Sequence, residues 1–127
     1  VLTGKYTFGA DPDPESRAGR GDGSILNRDF RETNFQFVDA VKKQIDGRDL
    51  TVIDFAMLWL FNNSLVTSII VGPRTLEQFE AYLTCIGKEF TAEDEALVNE
   101  LCATGCATSH NFIDPRYPPT GRRPVVG

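Results

Sequence analysis

Apolar residues along this 127-residue chain recur mostly at helical spacing, and one short β-branched run interrupts them. Phe35, Val38, Val41 and Ile45 fall three or four apart, which predicts an amphipathic helix over residues 35–45 with Asp39, Lys42 and Lys43 facing outward. Asp46-Gly47 then stops it, because Gly readily takes the left-handed conformation that follows a helix. Thr51, with Asp54 three residues on, is a capping-box pattern and opens a second helix that runs to about Asn62. Val52, Phe55, Ala56, Leu58, Trp59, Leu60 and Phe61 leave that helix almost no polar face, so it expects cover on several sides. Residues 66–71, β-branched but for Ser68, read as one buried strand. Thr75 opens a third helix with Gln78 at the capping-box position, running to about Ile86 with Phe79, Leu83 and Ile86 as its apolar stripe. Thr91 and Asp94 open a fourth, with Leu97, Val98 and Leu101 toward the core and Gly105 at its end.

The flanks lack this periodicity. Residues 1–34 are rich in Gly, Pro, Asp and Arg and read as a long loop. Residues 106–127 carry Pro115, Pro118, Pro119 and Pro124 and read as an extended tail, leaving 35–105 for the helices and the strand. The strand is the difficulty. A buried strand needs backbone partners on both edges, and no other segment supplies one. Either it pairs with another polypeptide, or it pairs with a second copy, or the strand expectation fails. The chain opens on Val1 inside what looks like a motif, the pattern of a trimmed or cleaved chain.

Composition narrows the function classes. The chain is 41% hydrophobic and 24% charged, as in an ordinary soluble domain. A formal charge of −5 argues against nucleic acid as a partner of the whole chain. The apolar run at 55–61 is too short to cross a bilayer, and no secretory pattern opens the chain. The cysteines are Cys85, Cys102 and Cys106; an odd number at this spacing is no disulfide framework, and a reduced, cytoplasmic protein is the simplest account.

The best candidate for chemistry is the stretch Ile69-Ile70-Val71-Gly72-Pro73-Arg74-Thr75-Leu76-Glu77-Gln78. A strand that breaks at Gly-Pro and feeds a helix start aims backbone N–H groups and a guanidinium at one point. That arrangement suits an anion, above all a phosphate. The plainer alternative is a capped helix with a surface Arg. Cys102, Cys106 and His110 are four apart and would share a face of an unbroken helix, as metal ligands do, but Gly105 and the Thr/Ser-rich stretch argue that the helix has ended. Asp11, Asp13 and Glu15 sit in an acidic pair of turns, which reads as a solvated loop before an ion site. Arg116, Arg122 and Arg123 make the tail locally basic, and Trp59 with its apolar neighbours reads as core.

Several stretches, in order, resemble the C-terminal part of the aldo/keto reductases, NADP-dependent (β/α)8-barrel oxidoreductases. The opening Leu2-Thr3-Gly4-Lys5-Tyr6 is similar to the family's stretch after the seventh strand, with Ser16-Arg17 further along the same loop. Leu50-Thr51 and the helix through Leu60 are similar to the helix before the eighth strand, and residues 66–79 to the eighth-strand segment itself. Asp114-Pro115-Arg116-Tyr117-Pro118 resembles the C-terminus of some bacterial members. A barrel of this kind usually needs about 250 residues, so the fold expected here is α/β: the C-terminal portion of a TIM barrel, mostly helical with one clear strand.

By that resemblance, Lys5 and Arg17 match cofactor-contacting positions, and Gly72, Arg74, Thr75 and Gln78 match those that hold the 2′-phosphate and adenosine end of NADPH. Ala81 and Tyr82 depart from the family's usual Glu and Asn, so the adenine-clasping hydrogen bonds of those side chains are missing. The implied reaction is reduction of an aldehyde or ketone by hydride from NADPH. The family's Tyr, Lys, Asp and His tetrad lies on earlier strands, and Lys5, Tyr6 and His110 do not occupy its positions, so this segment alone is expected to be inactive. The implied partner is the remainder of the barrel, or another copy of the chain. The alternative is a non-catalytic helical module that self-associates or binds a partner through its apolar helix.

Overall fold

The computed structural model describes residues 3–21, 23–102, 116 and 121–127. Among them run five helices: α1 (Gly23–Arg28), α2 (Glu32–Gln44), α3 (Val52–Phe61), α4 (Leu76–Leu83) and α5 (Ala92–Leu101). The core lies where α2, α3 and α5 meet. Val41, Ile45, Phe55, Phe90 and Val98 are buried together, with Phe37, Leu50, Val52, Leu58 and Trp59 packed around them. The Phe55 and Phe90 rings sit 5.2 Å apart in a tilted pair.

The helix starts follow their caps. Thr51 and Thr91 each accept from the N–H three residues on, and Asp54 and Asp94 reach back to the cap N–H, so both capping boxes are complete. Gly47 stands at φ 73° after α2 and ends it as its sequence implies. The expected start of α2 is corrected. The helix begins at Glu32, a turn earlier, behind Arg31, whose side chain makes no cap bond. The opening loop also holds more structure than expected. It contains α1, and Tyr6, Ala18 and Phe35 form a second small core with Ile25 and Phe30 against it. At the other end, α4 stops at Leu83 instead of continuing to Ile86, and Leu101 of α5 points outward while Val98 is buried.

The expected strand is also corrected. Among the described residues there is no strand, only an isolated antiparallel bridge between Asn63 and Pro124. Residues 66–71 carry a strand's side chains, but among the described residues no second segment pairs with them, so no ladder forms there. Ile70 is 99% exposed. The α4 stripe is equally uncovered: Leu76, Phe79, Leu83 and Ile86 are all exposed, and α4 has no buried residue.

Three carboxylates are buried between the helices. Asp54 and Asp94 are fully buried and Glu95 almost so. Asp54 accepts from the Thr84 hydroxyl at 2.5 Å, from the Thr51 N–H at 2.8 Å and from Lys88 Nζ at 3.1 Å, which ties the start of α3 to the end of α4. Asp94 takes both arms of Arg48, at 2.7 and 3.0 Å, and a bond from Gln44, which ties α5 to the end of α2. Glu95 takes both arms of Arg122, at 3.0 and 2.7 Å, and a bond from Asn62 at 2.9 Å. Burial pushes all three carboxyls up, but the hydrogen bonds outweigh it: Thr84, Thr51 and Lys88 for Asp54; Arg48, Thr91 and Gln44 for Asp94; Arg122 and Asn62 for Glu95. All three end below the ordinary carboxylate range.

A depressed folded-state pKa means that the folded chain holds fewer protons than the unfolded one near that pH. The stability these groups contribute is therefore complete above the unfolded values, about 4, and is lost as pH falls through the folded values. In urea unfolding, the midpoint is expected to stay level from about pH 7 to 5 and to drop steeply below about 4. Arg48→Ala leaves Asp94 buried without its cation and should cost about 3 kcal/mol at neutral pH while flattening the acid slope. An acid slope identical to that of the unsubstituted chain would remove this pair from the account.

Candidate functional site

Residues 66–75 carry the site from an irregular segment into α4. Gly72 is exposed, and a Cβ built there would meet nothing within 4 Å, so the backbone is open to a ligand's approach. Thr75 is the N-cap of α4, and its hydroxyl accepts from the Gln78 N–H at 3.3 Å. Gln78 does not complete the capping box. Its side-chain oxygen reaches one residue further back and accepts from the Arg74 N–H at 2.9 Å. The Glu77 carboxyl is held below its ordinary range by its own backbone N–H and then by the Thr75 hydroxyl. The N–H groups of Arg74, Glu77 and Gln78 are thus met by the helix's own side chains, and the charge offered outward at this end is chiefly the exposed Arg74 side chain.

Arg74 does not stand by itself. It lines a cleft of about 340 Å³ together with Lys5, Tyr6, Ser16 and the acidic turns. Two cations far apart in the chain therefore line one space. Asp11, Asp13 and Glu15 line it too, so an anion gains there only close to Lys5 and Arg74. Lys5 Nζ lies 4.9 Å from the centre of the Tyr6 ring. Burial pushes the Tyr6 hydroxyl up, but hydrogen bonds from Ser16, Lys5 and the Ala18 backbone bring it below its ordinary value. Arg17 is exposed, is not among the residues of this cleft, and helps hold the Asp29 carboxyl low. The structure thus brings Lys5 and Arg74 together, sets Gly72, Thr75 and Gln78 in the adjoining turn, and leaves Arg17 outside the cleft.

No family model matches the chain, and no solved structure gives a significant match. A curated relative does. The chain is 26% identical over 107 residues, 83% of its length, to the L-glyceraldehyde 3-phosphate reductase of Escherichia coli O157:H7. That relative is an aldo/keto reductase, and the similarity supports this family. The chain spans 31% of the relative's length.

Other candidate residues lie elsewhere. Cys106 and His110 lie outside the described residues, and Cys102 is half-buried at the end of α5; among the described residues, no group of three metal-ligating side chains gathers. Burial, with Asp54 nearby, pushes the Cys85 thiol up, which makes it a packing residue and not a nucleophile. Among the described residues, no helix is long and apolar enough to cross a membrane. Charge patterning did not indicate the Glu95–Arg122 pair. In the sequence Arg122 is one of three basic residues of the tail; in the structure its side chain is 13% exposed and its guanidinium lies 4.0 Å from the centre of the Trp59 ring.

Thr75→Ala removes the hydroxyl that accepts from Gln78 and gives to Glu77. It should cost about 1 kcal/mol of stability and let the Glu77 carboxyl titrate higher, read by carbon-detected NMR titration of the side chain. A Glu77 titration unaffected by the substitution would show that Thr75 does not order this helix start.

Proposed function

We propose that this chain is the cofactor-gripping C-terminal part of an NADP-dependent aldo/keto reductase, one that reduces aldehydes or ketones to alcohols. The observation that carries this is the meeting of Lys5 and Arg74 in one cleft beside the Gly72 turn and the α4 cap, in a chain similar along most of its length to a reductase of that family. The residues present fit the 2′-phosphate end of the cofactor. Arg74 offers a planar fork, Lys5 a point charge, and Gly72 an unobstructed backbone. NADPH, when bound, supplies the hydride. The chain's own share is to bind and orient: Arg74 and Lys5 hold the phosphate, and the Thr75 and Gln78 bonds fix the turn that presents Arg74. No residue of this chain is assigned the proton-donating role.

The uncovered apolar face belongs to the same proposal. Ile70, Leu76, Phe79 and Leu83 are exposed, and among the described residues no strand pairs with the run at 66–71; a neighbouring barrel strand and helix would cover both. The same exposure favours the second proposal, a helical module that pairs with its own copy. Native mass spectrometry separates the two: the first expects one copy of this chain with the rest of a barrel, on the same or on another polypeptide, and the second expects a pair of copies without it.

In that complete assembly, Arg74→Ala should weaken NADPH binding about tenfold, or ~1.4 kcal/mol, and leave NADH binding within about twofold, because only NADPH carries the 2′-phosphate. Fluorescence titration with each nucleotide measures both. Equal NADPH affinities for the variant and the unsubstituted protein would overturn the proposed grip.

A further inference from the structure

We propose that Arg122 is a positioning residue: it latches residues 121–127 across the end of α3 and so fixes where the chain departs toward Gly72 and Arg74. The consequence for ligand binding rests on the proposed cofactor grip; the latch itself does not.

The latch is built from several bonds that converge on one corner. Arg122 gives both arms to Glu95, at 3.0 and 2.7 Å, and a further bond to the Trp59 carbonyl at 3.0 Å. That carbonyl lies in the last turn of α3, where no further helical turn follows to use it. The guanidinium plane also covers the Trp59 ring at 4.0 Å. Asn62, the C-cap of α3, is 5% exposed and is bonded on both sides. Its amide gives to Glu95 at 2.9 Å and to the Val126 carbonyl at 3.0 Å, and its side-chain oxygen accepts from the Val126 N–H at 2.9 Å. The next two residues are held by the same segment. The Asn63 side chain accepts from the Arg123 N–H at 3.1 Å, and the Ser64 N–H gives to the Arg123 carbonyl at 2.9 Å. The Val125 N–H gives to the Asn62 carbonyl at 3.0 Å.

Glu95 gives the latch its specificity. It is 1% exposed, and without Arg122 it would be a buried carboxylate held only by Asn62 and neighbouring polar groups. A neutral side chain at 122 cannot replace the guanidinium, and a Lys replaces its charge but not its fork or its stacking face. Residues 62–64 lead directly into the irregular segment at 66–71 that runs to Gly72 and Arg74. Among the described residues this segment gains no support from a sheet, so its departure from α3 is set at the clamped corner.

The test uses the full chain and requires no cofactor. Backbone amide exchange and ¹H–¹⁵N shifts are recorded for the unsubstituted protein, Arg122→Ala and Arg122→Lys. In Arg122→Ala, exchange at Ser64 and Val126 should accelerate at least about tenfold, amides from Asn62 through Arg74 should shift, and Val38 and Val41 in α2 should keep their protection. In Arg122→Lys, which keeps a cation beside Glu95 and serves if the Ala variant does not fold, the same amides should respond about threefold. Shifts confined to residues 121–127, or a uniform loss of protection that includes α2, would overturn the positioning role. NADPH titration of the complete assembly is a separate arm. Altered amides with no NADPH binding by the unsubstituted protein would reject the cofactor grip and leave the latch standing.

Discussion

Asp54, Asp94 and Glu95 are carboxylates that helix packing has removed from water, and a carboxylate in that position is tolerable only with a cation and several donors in place. Each has both. Lys88 fixes the connection after α4 against α3, Arg48 fixes the end of α2 against α5, and Arg122 fixes the tail against α5 and α3. In two of the three, the carboxylate is also the helix-capping residue, so the group that starts the helix chooses its neighbour. Apolar contact brings α2, α3 and α5 together without specifying their register; a bidentate guanidinium on a buried carboxylate admits very few registers. The arrangement of the helices, and through it the position of the candidate site, depends on these three pairs.

A chain this well pinned on one side is bare on the other. The stripe of α4 and the run at 66–71 have the apolar character of a protein interior and the exposure of a surface. Surface Leu or Ile residues are ordinary when scattered, but here they follow one another along the chain, and among the described residues no strand pairs with the run at 66–71. The two deficits call for the same remedy, since a flanking strand meets the edges and its helix covers the stripe. That is the physical case for a neighbour, and it is independent of the similarity to a reductase.

What could be read from the residues divides along the same line. Thr51 with Asp54 and Thr91 with Asp94 announced two helix starts, and both stand, because a cap acts over three residues and needs nothing from the rest of the fold. That the same aspartates would be buried on Lys88 and Arg48 was not legible, since those partners stand 34 and 46 residues away. The start of α2 was missed because Arg31 carries no capping side chain, and Asn34 instead gives to the Asp29 carbonyl before it. Tyr6, Phe30 and Phe35 pack edge to face, but aromatic residues so far apart in the chain make no periodic pattern. The β-branched residues at 66–71 predict a strand, and among the described residues they form none, because side-chain character alone makes no strand without a second segment to bond with. Of the candidate site, the turn and its cap were legible, but the sharing of one cleft by Lys5 and Arg74 with three carboxylates was not, because the loop that carries Lys5 has no pattern of its own.

The proposed grip has to work with little help from its helix. Side chains of α4 and of its N-cap Thr75 already take the N–H groups of Arg74, Glu77 and Gln78, and Glu77 places a negative charge at the end where a phosphate would sit. Asp11, Asp13 and Glu15 add to that repulsion. A phosphate would therefore be held by Arg74 and Lys5, two flexible side chains whose value depends on how well the backbone beneath them is fixed. Arg74 is anchored at both ends of its segment, by the Gln78 and Thr75 bonds on one side and by the corner at Asn62, Asn63 and Ser64 on the other, with an uncovered stretch between. A strand laid against that stretch would stiffen the middle, and the same contact that completes the fold would then complete the site.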